Sequence, residues 1–361
     1  MSDRTGIEWT DSTWNPVRGC SRVSEGCRHC YAEQVAARFS GQGMPYEGLA
    51  KRVGGEARWT GVVRLVPEKL DEPLRWKRPR RIFVNSMSDL FHEGLSFEQI
   101  AAVFGVMLAS PLHVHQVLTK RAARALEFCA WIAERGGLGR FIRSDEGRSI
   151  GGLFDAVIRT ETIRGKRYRS AADPWRQVVN AAACDMGSVL PFNVWLGVSV
   201  ENQATADERV PLLLQTPAAV RFVSYEPALG PVDFEPWLWP TRECAGGFFC
   251  DERSLDWIIV GGESGPGARP FDVQWARSVV QQCDEAGVHC FVKQLGAKPL
   301  DWTRNDLYGN VDQPRCGCRE AACAHALPAS PPWLRLTDPK GGDWQEWPED
   351  LRVRQFPEAH A

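Results

Sequence analysis

Apolar runs along this chain stop abruptly in polar residues, and the stretches between them repeat at helical spacing. Arg81-Ile82-Phe83-Val84 ends in Asn85-Ser86-Met87-Ser88-Asp89, and His113 to Leu118 ends in Thr119-Lys120-Arg121. Asn193 to Val198 leads into Ser199-Val200-Glu201-Asn202, and Val220 to Val223 into Ser224-Tyr225-Glu226-Pro227. Trp257 to Val260 leads into Gly261-Gly262-Glu263-Ser264, and Cys290 to Val292 into Lys293-Gln294-Leu295-Gly296. Short β-branched and aromatic runs of this kind read as buried strands. Helices are expected over 97–109, 121–135, 203–215 and 272–286. In the last of these Asp272 is placed as N-cap, and Val273, Ala276, Val280 and Cys283 recur on one face. A further strand near Thr13–Val17 brings the expectation to about seven.

Buried strands alternating with helices mean parallel pairing through helical crossovers. The expected fold is therefore α/β, a (β/α) barrel, partial or closed, with a doubly wound sheet as the competitor. The barrel is expected over residues 1–296, with 137–192 as an insertion and 231–256, rich in Pro, Trp and Gly, as a long loop. Residues 297–361 read as an irregular Cys- and Pro-rich C-terminal extension. In either architecture ligands bind where parallel strands end. The acids and lysines at these junctions are accordingly the first candidates for chemistry.

Composition narrows the classes of function. The chain has 361 residues, 43% hydrophobic and 24% charged, with 43 Lys and Arg against 45 Asp and Glu. A net charge of -2 argues against a globally basic nucleic-acid binder and leaves room for a local patch. No apolar run is long enough for a transmembrane helix, and Met1 to Thr5 lacks the apolar stretch of a secretory signal, so a cytoplasmic protein without a membrane partner is expected. Twelve cysteines in such a compartment point to metal or redox chemistry more than to disulfides.

The cysteines are concentrated. Gly19-Cys20 is followed, after six residues, by Cys27-Arg28-His29-Cys30-Tyr31-Ala32. A C-x2-C pair lets two thiolates reach one metal centre, and Cys20 supplies a third. Three ligands are one short of structural zinc or a fully ligated iron–sulfur cluster. A 4Fe–4S cluster on three cysteines keeps one iron open, which at the first strand end suggests catalysis. Here the chain resembles radical SAM (S-adenosylmethionine) enzymes related to spore photoproduct lyase. The longer pattern is Trp14-Asn15-Pro16-Val17-Arg18-Gly19-Cys20, Phe83 to Phe91, Leu118 to Arg121, Trp195 to Asn202 and Gly261 to Gly265. It resembles a phage-associated family with this three-cysteine motif, largely uncharacterised in function.

The resemblance implies a 4Fe–4S cluster on Cys20, Cys27 and Cys30, SAM bound at the open iron, and a 5′-deoxyadenosyl radical that abstracts hydrogen from a substrate, with nucleic acid as the candidate. It also implies an electron donor such as flavodoxin or ferredoxin. Tyr31, Ser86, Ser88, Asp89, Ser199 and Glu201 are the candidates for holding SAM, and Lys120, Glu226 and Glu263 for the catalytic side chains. The bland alternative for these acids is an ion pair with Lys120 or Lys293. Two departures stand out. The first gap holds six residues where the superfamily has three, and Gly261-Gly262-Glu263 follows a late strand, whereas the superfamily's Gly-Gly-Glu follows the second.

Further constellations compete for attention. Cys316, Cys318, Cys323 and His325 supply soft ligands for zinc or a second cluster, set against a plain loop of reduced cysteines. Cys244 and Cys250 are weaker additions. Arg75-Trp76-Lys77-Arg78-Pro79-Arg80-Arg81 and Arg164-Gly165-Lys166-Arg167-Tyr168-Arg169 interleave cations with aromatics, which suits phosphates and stacked bases, although charge runs are usually solvated. His92, His113 and His115 read as core or rim histidines. The second functional reading is a non-catalytic, metal-stabilised nucleic-acid-binding protein of phage or mobile-element origin.

Overall fold

A computed structural model describes residues 5–154, 174–185, 187–239, 253–265, 267–302 and 332–358. Its centre is a sheet of seven parallel strands in sequential order. The strands are β1 (Ser12–Trp14), β2 (Arg81–Val84), β3 (Val114–Thr119), β4 (Val194–Ser199), β5 (Val220–Tyr225), β6 (Trp257–Gly261) and β7 (His289–Gln294). The crossover helices include α2 (Phe97–Leu108), α3 (Ala122–Glu134), α6 (Gln203–Leu214) and α8 (Val273–Ala286). Capping boxes at Ser96 and Asn202 start α2 and α6, and Asp272 caps α8.

The expected (β/α) barrel is not what forms. β1 pairs with β2 and β7 with β6, and the two edge strands do not pair with each other, so the sheet is an open half-barrel. The doubly wound competitor fails as well, because the alternation of side chains sends two different cores to the two faces. Ile82, Val84, Leu196, Val198, Val223, Ile258, Val260 and Val292 pack with the crossover helices on the outer face. Phe83, Trp195, Phe222, Trp257, Ile259 and Phe291 form a second core on the inner face, with Trp9 and Phe356 brought in by the terminal segments. Among the described residues the crossover helices lie on one face, and terminal segments cover the lower half of the trough on the other.

The insertion over 137–192 contributes α4 (Leu138–Arg143) and α5 (Pro174–Cys184), whose Leu138, Phe141, Val178 and Ala182 are buried against the helical layer. The long loop contains the short helix α7 (Glu235–Leu238). The C-terminal extension is less irregular than expected where it is described. Pro299–Leu300 pairs with Phe271–Asp272, and Val292 and Cys290 of β7 exchange backbone hydrogen bonds with Val353 and Gln355 at 2.8 and 2.9 Å. Trp347 and Leu351 are buried in the main core. No helix among the described residues is long and apolar enough to cross a membrane.

A second excursion, between β1 and β2, went unanticipated. It holds α1 (Tyr31–Arg38) and a two-stranded hairpin, Ala50–Val53 with Glu56–Trp59, turned by Gly54-Gly55. Val17–Arg18 pairs with Arg64–Leu65, which returns the chain to its starting point. This excursion carries the three cysteines.

Candidate active site

After β1 the chain crosses to the end of β2, where Gly19 bridges Ser88, and turns into the cysteine loop. Gly19 has φ 94°, and a Cβ there would lie 2.1 Å from the carbonyl oxygen of Val62. Only glycine fits this turn. Cys27 closes a short 3-10 turn over Glu25–Cys27, and Cys30 caps α1. Cys20, Cys27 and Cys30 are half-buried free thiols. Burial pushes Cys20 up to about 12, with the Asp89 carboxylate adding to it and Arg121 opposing. Burial also raises Cys30, while the amides of Glu33 and Ala32 at the start of α1 pull it down. Each of these two thiols is raised further by another cysteine, Cys20 by Cys30 and Cys30 by Cys27, so the three share one electrostatic neighbourhood.

Several contacts seat the loop on the strand ends. Arg121, just after β3, donates from Nη2 to Ser21 Oγ at 2.7 Å, from Nη1 to Asp89 at 3.1 Å and from Nε to Glu93 at 3.0 Å. His92 Nε2 holds the same Ser21 hydroxyl at 2.9 Å. Beyond β4, Glu201 accepts from Ser24 Oγ at 2.8 Å, pairs with Lys120 and takes Arg209 Nη1 at 3.1 Å. Gly26 lies so close that a Cβ there would fall 2.4 Å from Glu201 Oε1. Beyond β6, Glu263 is 3.0 Å from His29 Nδ1 and accepts from Arg269, which also reaches the Glu25 carbonyl at 3.1 Å. Tyr31 donates its hydroxyl to the Ser86 carbonyl, and Arg22 ties the loop to buried Glu33.

These partners set the charge states. Burial alone would raise Glu263, but hydrogen bonds from Arg269 and His29 hold it down at about 2. Glu201 is also held low: burial works against its charge, and Lys120 and Arg209 outweigh it. Such buried carboxylates stay ionised because cations and donors surround them.

The structure brings the expected residues to one edge. Asp89, Lys120, Glu201, Glu226 and Glu263 all follow strand ends on the side of the cysteine loop. Ser199 follows Trp195 on the inner face at period two and is buried. Their contacts distinguish them. Asp89 accepts from Phe91 N, Thr119 Oγ1, Lys120 N and Arg121, so both of its oxygens are engaged within the chain. Ser88 donates to the Val17 carbonyl at 3.0 Å, and Ser86 exchanges hydrogen bonds with the Asn15 side chain. Glu226 Oε1 takes Lys293 Nζ at 2.6 Å and Gln294 Nε2 at 2.9 Å, the ion pair that the bland reading anticipated. Its Oε2 accepts from no described residue.

A family profile with the description "Protein of unknown function (DUF5131)" matches residues 4–320. The chain belongs to this family. No curated protein and no solved structure matches it. The match spans β1 through β7, and so the whole cysteine edge of this DUF5131 protein falls inside the family's shared extent.

Several functional-looking residues escaped the sequence. Arg121, Arg209 and Arg269 are the cations that seat the loop, and His29, inside the C-x2-C pair, reaches Glu263. Asn85 has a left-handed φ of 59° and is buried, and neither of its amide atoms has a hydrogen-bond partner among the described residues. The one available signal was position, since Asn85 and Arg121 each stand at a strand end. The basic run Arg75–Arg81 lies at the other edge, ahead of β2: Arg80 bonds Ser12 at 2.9 Å and stacks on Trp76, and Arg81 pairs with Asp11. Cys316, Cys318, Cys323 and His325, the run Arg164–Arg169, and Cys244 and Cys250 fall outside the described residues.

Among the described residues no three His, Cys, Asp or Glu side chains gather tightly enough to hold a single metal ion. A zinc ion on the triad is therefore a poor fit. An iron–sulfur cubane is a larger body whose thiolates stand farther apart, each on its own iron. The three free thiols lie on one loop, half-buried and in one electrostatic neighbourhood.

Proposed function

We propose that this protein is an iron–sulfur enzyme of the radical SAM type, with Cys20, Cys27 and Cys30 as the cluster ligands. The observation that supports this is the seating of three free thiols on one loop over the carboxylate- and lysine-bearing ends of a parallel sheet. When bound, such a cluster supplies an electron to the sulfonium of SAM and so a 5′-deoxyadenosyl radical. The chain's own residues then hold and shield. Arg121 keeps Ser21, and with it Cys20, against the end of β2, and Glu201 fixes Ser24 and the turn that presents Cys27. Tyr31 spans from the helix behind Cys30 to Ser86 at the end of β2, which sets the distance between α1 and the sheet. Lys120, Glu226 with its uncapped Oε2, and Lys293 are the polar groups offered to a ligand in the trough. The aromatic core on the inner face closes the trough from below, keeping water from a reactive intermediate.

Anaerobic reconstitution followed by iron and sulfide analysis tests the ligands. Cys20→Ala, Cys27→Ala and Cys30→Ala are each expected to abolish cluster binding, and Cys129→Ala, buried in α3, to leave it intact. Full iron retention in Cys27→Ala would overturn the assignment. For SAM, the reduced protein is expected to release 5′-deoxyadenosine, read by anaerobic chromatography. An intact cluster whose EPR signal ignores SAM, with no cleavage, makes the triad an electron-transfer or structural centre instead.

A further inference from the structure

The excursion between β1 and β2 differs in charge from the rest of the chain. Residues 15–65 hold eight Lys and Arg against four Glu, whereas the whole chain is slightly acidic. Three of those four carboxylates are already matched, Glu33 by Arg22, Glu56 by Arg58 and Glu25 by Arg269. Arg38, Lys51, Arg52 and Arg64 are exposed. On the same excursion, large apolar side chains also face solvent: Phe39 at 46%, Met44 at 47% and Val53, at the hairpin tip, at 53%. Apolar exposure concentrated beside a site marks a contact surface.

Its middle is a cluster of one guanidinium and two aromatic rings. The guanidinium of Arg18 lies over the Tyr46 ring, 5.6 Å from its centroid, and the Trp59 ring leans against Tyr46 at 49°, with centroids 6.4 Å apart. Arg18 also donates to the Pro45 carbonyl at 3.2 Å, and Arg64 to that of Glu47 at 3.4 Å. Arg18 stands two residues before Cys20. A guanidinium and two aromatic rings gathered at one place, fringed by Arg38, Lys51, Arg52 and Arg64, which form no ion pair among the described residues, suit a chain of flat rings joined by phosphates.

From this we infer that residues 15–65 form the docking surface for a single-stranded nucleic acid, which the surface delivers to the cysteine edge. A base displaced from a duplex reaches a recessed mouth far more easily than one still stacked. Anionic lipid is the competing polyanion. It would use Phe39, Met44 and Val53, but it has no use for the Arg18–Tyr46–Trp59 cluster. The inference rests on the proposed function only for what happens after docking, and binding is measured separately from SAM cleavage.

The test is fluorescence anisotropy of a labelled single-stranded DNA or RNA oligonucleotide with the full-length protein across a salt series. Binding is expected to weaken linearly in log salt. The hairpin-tip pair Lys51→Ala/Arg52→Ala is expected to flatten that slope by about 1.4, at about 0.7 per lost phosphate contact. Tyr46→Leu is expected to weaken binding about tenfold by removing one stacking face. Lys77→Ala/Arg78→Ala, exposed at the opposite edge, is expected to change neither. The inference falls if the far-edge pair weakens binding as much as the tip pair, or if phosphatidylserine vesicles bind and the oligonucleotide does not. Normal SAM cleavage without oligonucleotide binding sinks this inference alone. Oligonucleotide binding without cluster assembly sinks the radical reading and leaves the surface standing.

Discussion

The two ends of the same seven strands are built on opposite principles. Near their starts, the inner face carries Trp9, Phe83, Trp195, Phe222, Trp257 and Phe291, ring against ring, with Trp9 and Phe83 centroids 4.7 Å apart. Near their ends, the chain places Asp89, Lys120, Arg121, Glu201, Glu226, Glu263 and Lys293, joined in ion pairs. An apolar plug gains stability from every contact. A buried ion pair returns little net stability, because desolvation offsets the attraction. The strand starts hold the fold, and the strand ends hold a loop in place.

The comparison is broken most severely from below. Trp257 is fully buried and touches Trp9, Trp195, Phe222, Phe291 and Phe356. Trp257→Ala is expected to cost about 3–5 kcal/mol, read by denaturant unfolding. If it costs under about 1 kcal/mol, the floor is not what supports the sheet.

At the strand ends Glu201→Ala strands Lys120 and Arg209 and frees Ser24. A loss of about 3 kcal/mol is expected. The sharper readout is local: backbone amides of residues 21–30 should lose hydrogen-exchange protection while those of β4 keep it. Uniform loss across both would show that the ion pairs serve the fold in the same way as the plug.

Glu263→Gln probes the same edge through pH. A carboxylate held at about 2 contributes its stabilisation in full above its ordinary value of 4.5 and loses it as pH falls toward 2. The variant is expected to lose on the order of 2 kcal/mol at neutral pH. Its stability should also fall less steeply than that of the parent between about pH 4.5 and 2. An unchanged slope would mean that Arg269 and His29 do not hold the carboxylate in solution.

The smallest effect belongs to the basic run ahead of β2. Lys77→Ala/Arg78→Ala, on an exposed surface, is expected to stay within about 0.5 kcal/mol of the parent.

How much of this was visible in the sequence follows from the range of the forces involved. Strand and helix positions depend on local periodicity, and Arg81–Val84 and the helix from Phe97 fell where the pattern put them. The gathering of acids at one edge follows from parallel strands alone. Whether the first and last strands meet does not, because curvature accumulates over the whole sheet and no run of residues encodes it. The hairpin at Ala50–Val53 is too short and too exposed to leave an alternating signature. The cations that bond the cysteine loop directly, Arg121 and Arg269, come from 100 and 244 residues away, a separation that spacing rules do not span. The position of Arg75–Arg81 is legible from order alone, because a run before a parallel strand lies at the opposite edge from the residues after it.

The plug also has a bearing on the order of folding. Arg354 pairs with Glu8 across a sequence separation of 346, and Phe356 lies against Trp257, Phe291 and the Arg81 guanidinium. During synthesis Trp9 is made before the strands, but all seven strands are made before Arg354 and Phe356, so a nascent chain exposes part of its strip of tryptophan and phenylalanine until that segment emerges. Contacts of such long range form slowly. Trp257 and Phe291 therefore stay partly uncovered until residues 354–356 have been made, and that segment acts as the latch that closes the inner face.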